Sequence, residues 1–336
     1  MRFAFDDDQL AFAAALRDLL AKECGPEGVR AAWEADGRVP GLWSHLTDMG
    51  VVGMLAPEGV GGLGMTELDL VLLCLEAGRA GLPDPLVDVA MVAVPAIRDH
   101  AQTSDAEAYL ERICNGATVA VGLSWDPTVG NADGAVAYLL EADDGLHLVD
   151  PDVVEVSAVD SVDGARRLAR VEWTPSPATR LADATVAAAR ARDRAALGGA
   201  AELCGLSHTM LDLTVAYVTE RRQFGVPIGS FQAVKHHLAD ALLALEFAKP
   251  LVWRAAYSQT VGDPQASVHA SMAKAQASDA AEAVGAAALQ CHGAIGYTVE
   301  CDLHLYLKRA WALARRAGDA AHHRRLVADA VLSSPR

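Results

Sequence analysis

Apolar and polar positions alternate with two different periods along this chain, and the switch between them marks its organisation. From Phe5 to Glu23 the residues Leu10, Ala14, Leu16, Leu19 and Leu20 recur at helical spacing, which predicts an amphipathic helix. Trp43, Leu46, Met49 and the run Val51 to Leu55 lead into a Gly-rich turn, 57–64, followed by a helical stretch from Thr66 to Gly78. Residues 86–115 read as two more helices. Near Ala117 the character changes to short runs rich in Val and Leu, at 118–123, 135–140, 146–149, 153–156 and 168–173, broken by Asp-Gly and Pro turns. These predict a small β-domain of about five strands. After Thr185 the helical period returns, with helices expected over 188–221, 230–260, 265–292 and 301–331, four long elements with short loops that pack naturally as a bundle. The chain therefore divides at 1–116, 117–186 and 187–336: helical, β, helical.

The stretch from Thr219 to Phe247 sits at the centre of this layout. A helix ends in the basic pair Arg221 and Arg222, a loop with Gly225, Pro227 and Gly229 follows, and a second helix starts near Ser230 or Phe231. Ser230 is the expected cap, and Val234, Leu238, Ala241, Leu242 and Leu245 the expected buried face. Guanidinium forks pair bidentately with phosphate, and the ring of Phe224 suits a flat heterocycle, so the loop fits an anionic planar ligand. By chemistry alone a solvated basic turn fits equally well.

Length and composition narrow the classes. The 336 residues, 52% of them hydrophobic, are enough for two or three domains with sizeable cores. No run of 18 apolar residues and no charged-then-apolar leader is present, so the expectation is a cytoplasmic protein that neither spans nor crosses a membrane. The six cysteines are scattered without paired spacing and read as buried thiols of a reducing compartment. A formal net charge of -16 argues against nucleic acid as partner.

The letters are more specific than the chemistry. Glu-Arg-Arg-Gln-Phe-Gly-x-Pro-Ile at 220–228, then Phe-Gln-Ala-Val and Leu-Ala-Asp, resembles the flavin-binding signature of the acyl-CoA dehydrogenase family. The stretch Gln290 to Glu300 matches that family's second flavin motif, and Pro57 to Gly64 matches its Gly-rich turn. The resemblance covers nearly the whole chain. It implies the acyl-CoA dehydrogenase fold: mainly α, with an N-terminal helical domain, a central β-barrel, truncated here, and a C-terminal four-helix bundle. It also implies bound FAD, an acyl-CoA substrate and an electron-transfer flavoprotein as electron acceptor. By the same resemblance Arg221, Gln223 and Phe224 meet the pyrophosphate and adenine side of FAD, and Gln232 touches adenine. Gln290, Gly293 and Ala294 reach the FAD of a neighbouring subunit, with Ala294 in place of the family's second glycine.

Two departures shape the functional expectation. After the first strand the family carries a Thr-Glu-Pro-x-x-Gly-Ser loop that lines the flavin ring; here Ser124-Trp125-Asp126-Pro127 runs directly to Asn131-Ala132-Asp133. The catalytic base of the family is a Glu before Gly in the last long helical segment, which matches Ala317 before Gly318, or, in a subset, a Glu that matches Ala195. Neither position carries a carboxylate. Asp319, Asp193 and Glu202 lie nearby, and Asp319 is the weak replacement candidate. The run His322, His323, Arg324 and Arg325 reads as a solvated helix end. Adjacent His236 and His237 point apart and make no metal pair. Asp6, Asp7 and Asp8 suit a helix N-terminus. Within the family the chain most resembles the short base-less subunit of heteromeric actinobacterial steroid acyl-CoA dehydrogenases, which implies a homologous subunit as partner. A self-sufficient homo-oligomer with an unusual base and a flavin-free structural subunit stand as the other expectations.

Overall fold

The computed structural model describes residues 4–35, 37–101 and 105–332. The expected helices of 86–115 and the expected third domain both extend into residues outside those described. Helices α1 (Asp7–Glu23), α2 (Pro26–Glu34), α3 (Leu42–Asp48) and α4 (Glu67–Ala80) open the chain. Asp6 caps α1: its carboxylate accepts the Gln9 N–H at 2.8 Å while the Gln9 side chain accepts the Asp6 N–H at 3.0 Å. A wide π-helical turn, Val87–Ala93, runs on into α5 (Val94–His100), and α6 (Asp105–Cys114) leads to the β-domain. Leu16 and Leu20 are buried as the helical spacing requires, whereas Leu10 is half exposed and Ala14 exposed.

All five expected strands are present, as β1 (Val119–Gly122), β3 (Ala137–Ala142), β4 (Gly145–Val149), β5 (Glu155–Val159) and β6 (Leu168–Glu172), with a two-residue β2 (Val129–Gly130) between the first two. They form two three-stranded sheets, β1-β3-β4 and β2-β6-β5, in which β1 runs parallel to β3 and the other pairings are antiparallel.

The helical remainder begins with α7 (Ala184–Glu220), continues through a hairpin of β7 (Arg222–Gln223) and β8 (Val226–Pro227), then α8 (Gln232–Thr260) and α9 (Ala266–His292). The fourth expected helix is two: α10 (Leu303–Arg315) and α11 (Ala320–Leu332). The chain turns left-handed between them, with φ of +55° at Ala317 and +92° at Gly318, a conformation that glycine adopts freely and alanine does not. Ser230 is not the cap of α8. Its hydroxyl donates to the Pro227 carbonyl at 2.7 Å inside a 3-10 turn, and the helix starts at Gln232 behind Phe231 with no side-chain cap. Ala241 and Leu245 are buried as expected, but Leu242 is 46% exposed, beside exposed Leu243 and Phe247.

The core is continuous from α1 through α4, the β1 sheet and the bundle. At its centre α4 and α7 cross at two glycines: a Cβ at Gly78 would stand 2.1 Å from the Glu202 carbonyl oxygen, and one at Gly205 2.0 Å from that of Leu75. Backbone meets backbone there, and this contact fixes the line of α7, whose far end carries Arg221.

Candidate functional site

The two matched motifs come together at one end of the bundle. Helix α7 ends, α8 begins and α9 ends there, and the Tyr217 ring stacks on His292 at 4.4 Å with 18° between planes. Arg221 caps α7, and its carbonyl accepts the Ile228 N–H at 2.8 Å, which closes the hairpin. The hairpin turns over Phe224 and Gly225, both left-handed at +52° and +84°. Two positive φ values in a two-residue loop match the twist of a hairpin, and glycine takes the second at no cost. An aromatic residue at the first is strained by about 1 kcal/mol. Phe224 is also 92% exposed, with an edge contact to Phe231 at 6.2 Å.

Arg221, Arg222, Gln223 and Gln232 are exposed, and among the described residues neither guanidinium is ion-paired within the chain. Gln290 lies in the last turn of α9 with its side chain exposed. Gly293 takes φ +65° and ψ -144°, a conformation reserved for glycine. A Cβ there would meet nothing within 4 Å, as at Gly225. Ala294 follows in an exposed 3-10 turn. This end thus offers free guanidiniums, amides, a bare glycine backbone and an unsupported ring. Such a set fits the phosphates and adenine of FAD and, in the isolated chain, lies open to solvent.

The matched base positions are a different environment. Ala195 is buried in α7, and Ala317 is buried in the turn between α10 and α11. Asp319 is exposed and caps α11, accepting the His322 N–H at 2.7 Å; that bond holds its carboxyl below the usual range. Asp193 is bonded by the Ser267 hydroxyl and lines a polar cavity of about 590 Å³ with Arg190, Arg194 and Gln259. Burial raises its pKa.

Glu202 is buried, and desolvation pushes it up to about 7 against the pull of Arg309 and Arg166. It lines a cavity of about 30 Å³, room for one water, with Asp84, Asp88, Arg166, Arg309 and Arg316. Arg316 pairs with Asp88, and Arg309 with Asp163 at 3.1 Å, so the interior next to Ala317 is packed with charges from all three parts of the chain. Because the folded pKa of Glu202 lies above its ordinary 4.5, its stabilising protonated form is fully present below that value and is lost as pH rises to 7. Glu202→Gln therefore gains stability relative to the parent between pH 5 and pH 8, by on the order of 2 kcal/mol, in urea midpoints measured at both pH values. A gap that stays constant with pH refutes this.

The expectation of a solvated helix end at 322–325 holds for Arg324 and Arg325, which are exposed, but not for the two histidines. His323 is buried, its ring bonded to the Ser271 hydroxyl at 3.1 Å and to the Ala317 carbonyl at 2.8 Å, and desolvation pushes it down to about 4. His322 packs on Trp125 at 4.2 Å, and Arg324 pairs with Asp279. The side chain at the base position that the sequence could not reveal is Asp126. It comes from the loop after β1, and its two carboxylate oxygens lie 3.3 and 3.2 Å from the Ala317 nitrogen. Burial raises its pKa. Lys274, fully buried and pushed down to about 7 by desolvation, donates to the carbonyls of Ala314 and Gly318 at 2.9 and 3.0 Å.

Comparison with known proteins agrees with this architecture. The N-terminal domain of acyl-CoA dehydrogenases matches residues 6–117 and the C-terminal domain residues 180–332. Acyl-CoA dehydrogenase IpdE2 of Mycolicibacterium smegmatis is 36% identical over 302 residues, 89% of this chain and 91% of that protein. Acyl-CoA dehydrogenase FadE34 of Mycobacterium tuberculosis is 37% identical over 314 residues, 89% of this chain but 42% of that protein, which is thus more than twice as long as the match. Among solved structures, a variant of the Tcur3481-Tcur3483 steroid ACAD superposes with a TM-score of 0.87 at 25% identity, over 97% of this chain and 98% of that one. No helix among the described residues is long and apolar enough to cross a membrane. With both domain models matched and a relative 36% identical over most of both chains, the chain belongs to the acyl-CoA dehydrogenase family, FAD-dependent oxidoreductases of acyl-CoA thioesters.

Proposed function

We propose that this chain is the base-less subunit of a two-component acyl-CoA dehydrogenase, in which it completes an FAD site that a homologous subunit shares. The reaction removes the α-proton of an acyl-CoA thioester with a carboxylate while the β-hydrogen leaves as hydride, giving the α,β-unsaturated thioester. Bound FAD supplies the hydride acceptor, and an electron-transfer flavoprotein is the acceptor class expected beyond it. On this chain Arg221 neutralises phosphate charge, Gln223 and Gln232 offer hydrogen bonds to the adenine side, and Phe224 covers a flat face of the nucleotide. Gln290, Gly293 and Ala294 present polar backbone across the subunit boundary. The proton-abstracting carboxylate comes from the partner.

The observation that carries this reading is a contrast within one molecule: the residues assigned here to FAD are exposed and, among the described residues, make no ion pair, whereas Ala317 is buried, carries no acid of its own, and has the nearby carboxylate of Asp126 tied to its backbone N–H. The doubled length of FadE34 suits two family units in one protein, and the steroid ACAD is named for two components.

The test is an absorbance spectrum with native mass, first on the chain purified alone and then after co-expression with a homologous subunit. The expected result is colourless protein alone and one flavin per two chains in the mixed assembly. One flavin per chain, with turnover, in the chain alone overturns the proposal.

A further inference from the structure

The loop after β1 is tied down more thoroughly than a connection needs. Asp126 accepts the Ala317 N–H with its carboxylate, and that donor has no helical partner because the left-handed turn has broken the helix. Trp125 lies between His322 of α11, at 4.2 Å, and the guanidinium of Arg192 on α7, at 5.2 Å. Arg192 in turn pairs with Glu141 of β3, whose other oxygen accepts the Ser124 N–H at 3.0 Å. The far side of the same turn is held by Lys274 and His323, which bond the carbonyls of Gly318 and Ala317. One short loop thus joins β-domain, α7 and the α10–α11 turn, and its Asp126 side chain meets a backbone N–H 191 residues away in the chain.

We infer that Trp125 and Asp126, in the loop Ser124 to Pro127, form an intramolecular latch over this chain's own base position at Ala317, so that protein side chains occupy the place that a flavin ring and thioester take in a catalytic subunit. This rests on the reading that the partner supplies the base. A subunit with an open, base-less crevice would leave the Ala317 N–H and the faces of Trp125 and His322 wet, and would bind flavin or thioester unproductively. The latch makes the chain complete without either ligand and leaves the bundle end as its surface for FAD.

Two variants test it. Asp126→Ala removes the acceptor, whereas Asp126→Asn keeps an oxygen for the Ala317 N–H but cannot act as a base. Hydrogen exchange of the Ala317 amide is expected to quicken at least tenfold in Asp126→Ala and much less in Asp126→Asn, in the chain alone. In the assembly with the homologous subunit, turnover is expected to be unchanged in both. Equal exchange at Ala317 in parent and Asp126→Ala overturns the latch. Retained flavin with lost turnover in Asp126→Asn also overturns it, and makes Asp126 a proton-accepting group. The parent chain carrying flavin when alone contradicts the two-component reading instead, whatever the exchange rates show.

Discussion

Replacing Arg221 by alanine lowers the affinity of the two-subunit assembly for FAD by about 10- to 100-fold while leaving the fold untouched. The size follows from one charge-assisted contact to phosphate, about 1.5–3 kcal/mol, at about 1.4 kcal/mol per tenfold in affinity. The selectivity follows from the structure. Arg221 is exposed and has no ion-pair partner within the described chain, so no buried group is orphaned when it goes. The thermal midpoint of the isolated chain should therefore shift within the range of an ordinary surface substitution. Arg221→Lys should recover less than half of the lost affinity, because an ammonium keeps the charge but not the two-pronged donor geometry. Flavin retained through gel filtration reads the effect directly. Retention equal to that of the parent in Arg221→Ala would mean that the bundle end serves assembly alone and the chain is a flavin-free scaffold.

Much of this was legible in the letters. Period and composition mark the helical–β–helical order because α-helical and β-strand burial impose different spacings on apolar residues. The five longer strands fall where the Val- and Leu-rich runs lie, and the exposed hairpin falls between its two helices. What the sequence hid was set by contacts between distant segments. The split of the last helix depends on a two-residue left-handed turn in which Ala317 is held by Asp126 and His323 and Gly318 by Lys274, of which only His323 is nearby in sequence. The pair His322-His323 looks solvated because histidine is usually exposed or half exposed, yet the packing of α11 on α9 buries the second ring against Ser271. Leu242 fits the buried period of α8 but faces outward in the lone chain, with Leu243 and Phe247, on a surface that suits another subunit. Periodicity counts apolar positions; it does not tell which chain covers them.

Gly205→Ala destabilises the chain by about 3 kcal/mol, at the upper end of overpacking penalties, and lowers the thermal midpoint by roughly 4 °C. A methyl at this position would lie 2.0 Å from the Leu75 carbonyl oxygen and 2.6 Å from the Arg79 nitrogen, both backbone atoms of α4, which cannot rotate away. The helices must separate, and the neighbouring contact at Gly78, where α4 approaches Glu202 as closely, separates with them. Gly199→Ala, six residues earlier in α7, is the control. Its nearest neighbour is the flexible Lys274 chain at 3.6 Å, an ordinary contact, so there the helical preference for alanine over glycine should raise stability by about 0.5–1 kcal/mol. The same chemical change thus has opposite signs on one helix, decided by whether side chain or backbone faces the glycine. If both variants shift the midpoint in the same direction, the α4–α7 crossing is not as close as described. The consequence reaches the functional end as well. The crossing fixes the line of α7, and α7 carries Ala195 and Glu202 inside the core and ends at Arg221. A splayed α7 in Gly205→Ala should therefore weaken flavin retention in the assembly even though the substitution lies some four helical turns from the hairpin.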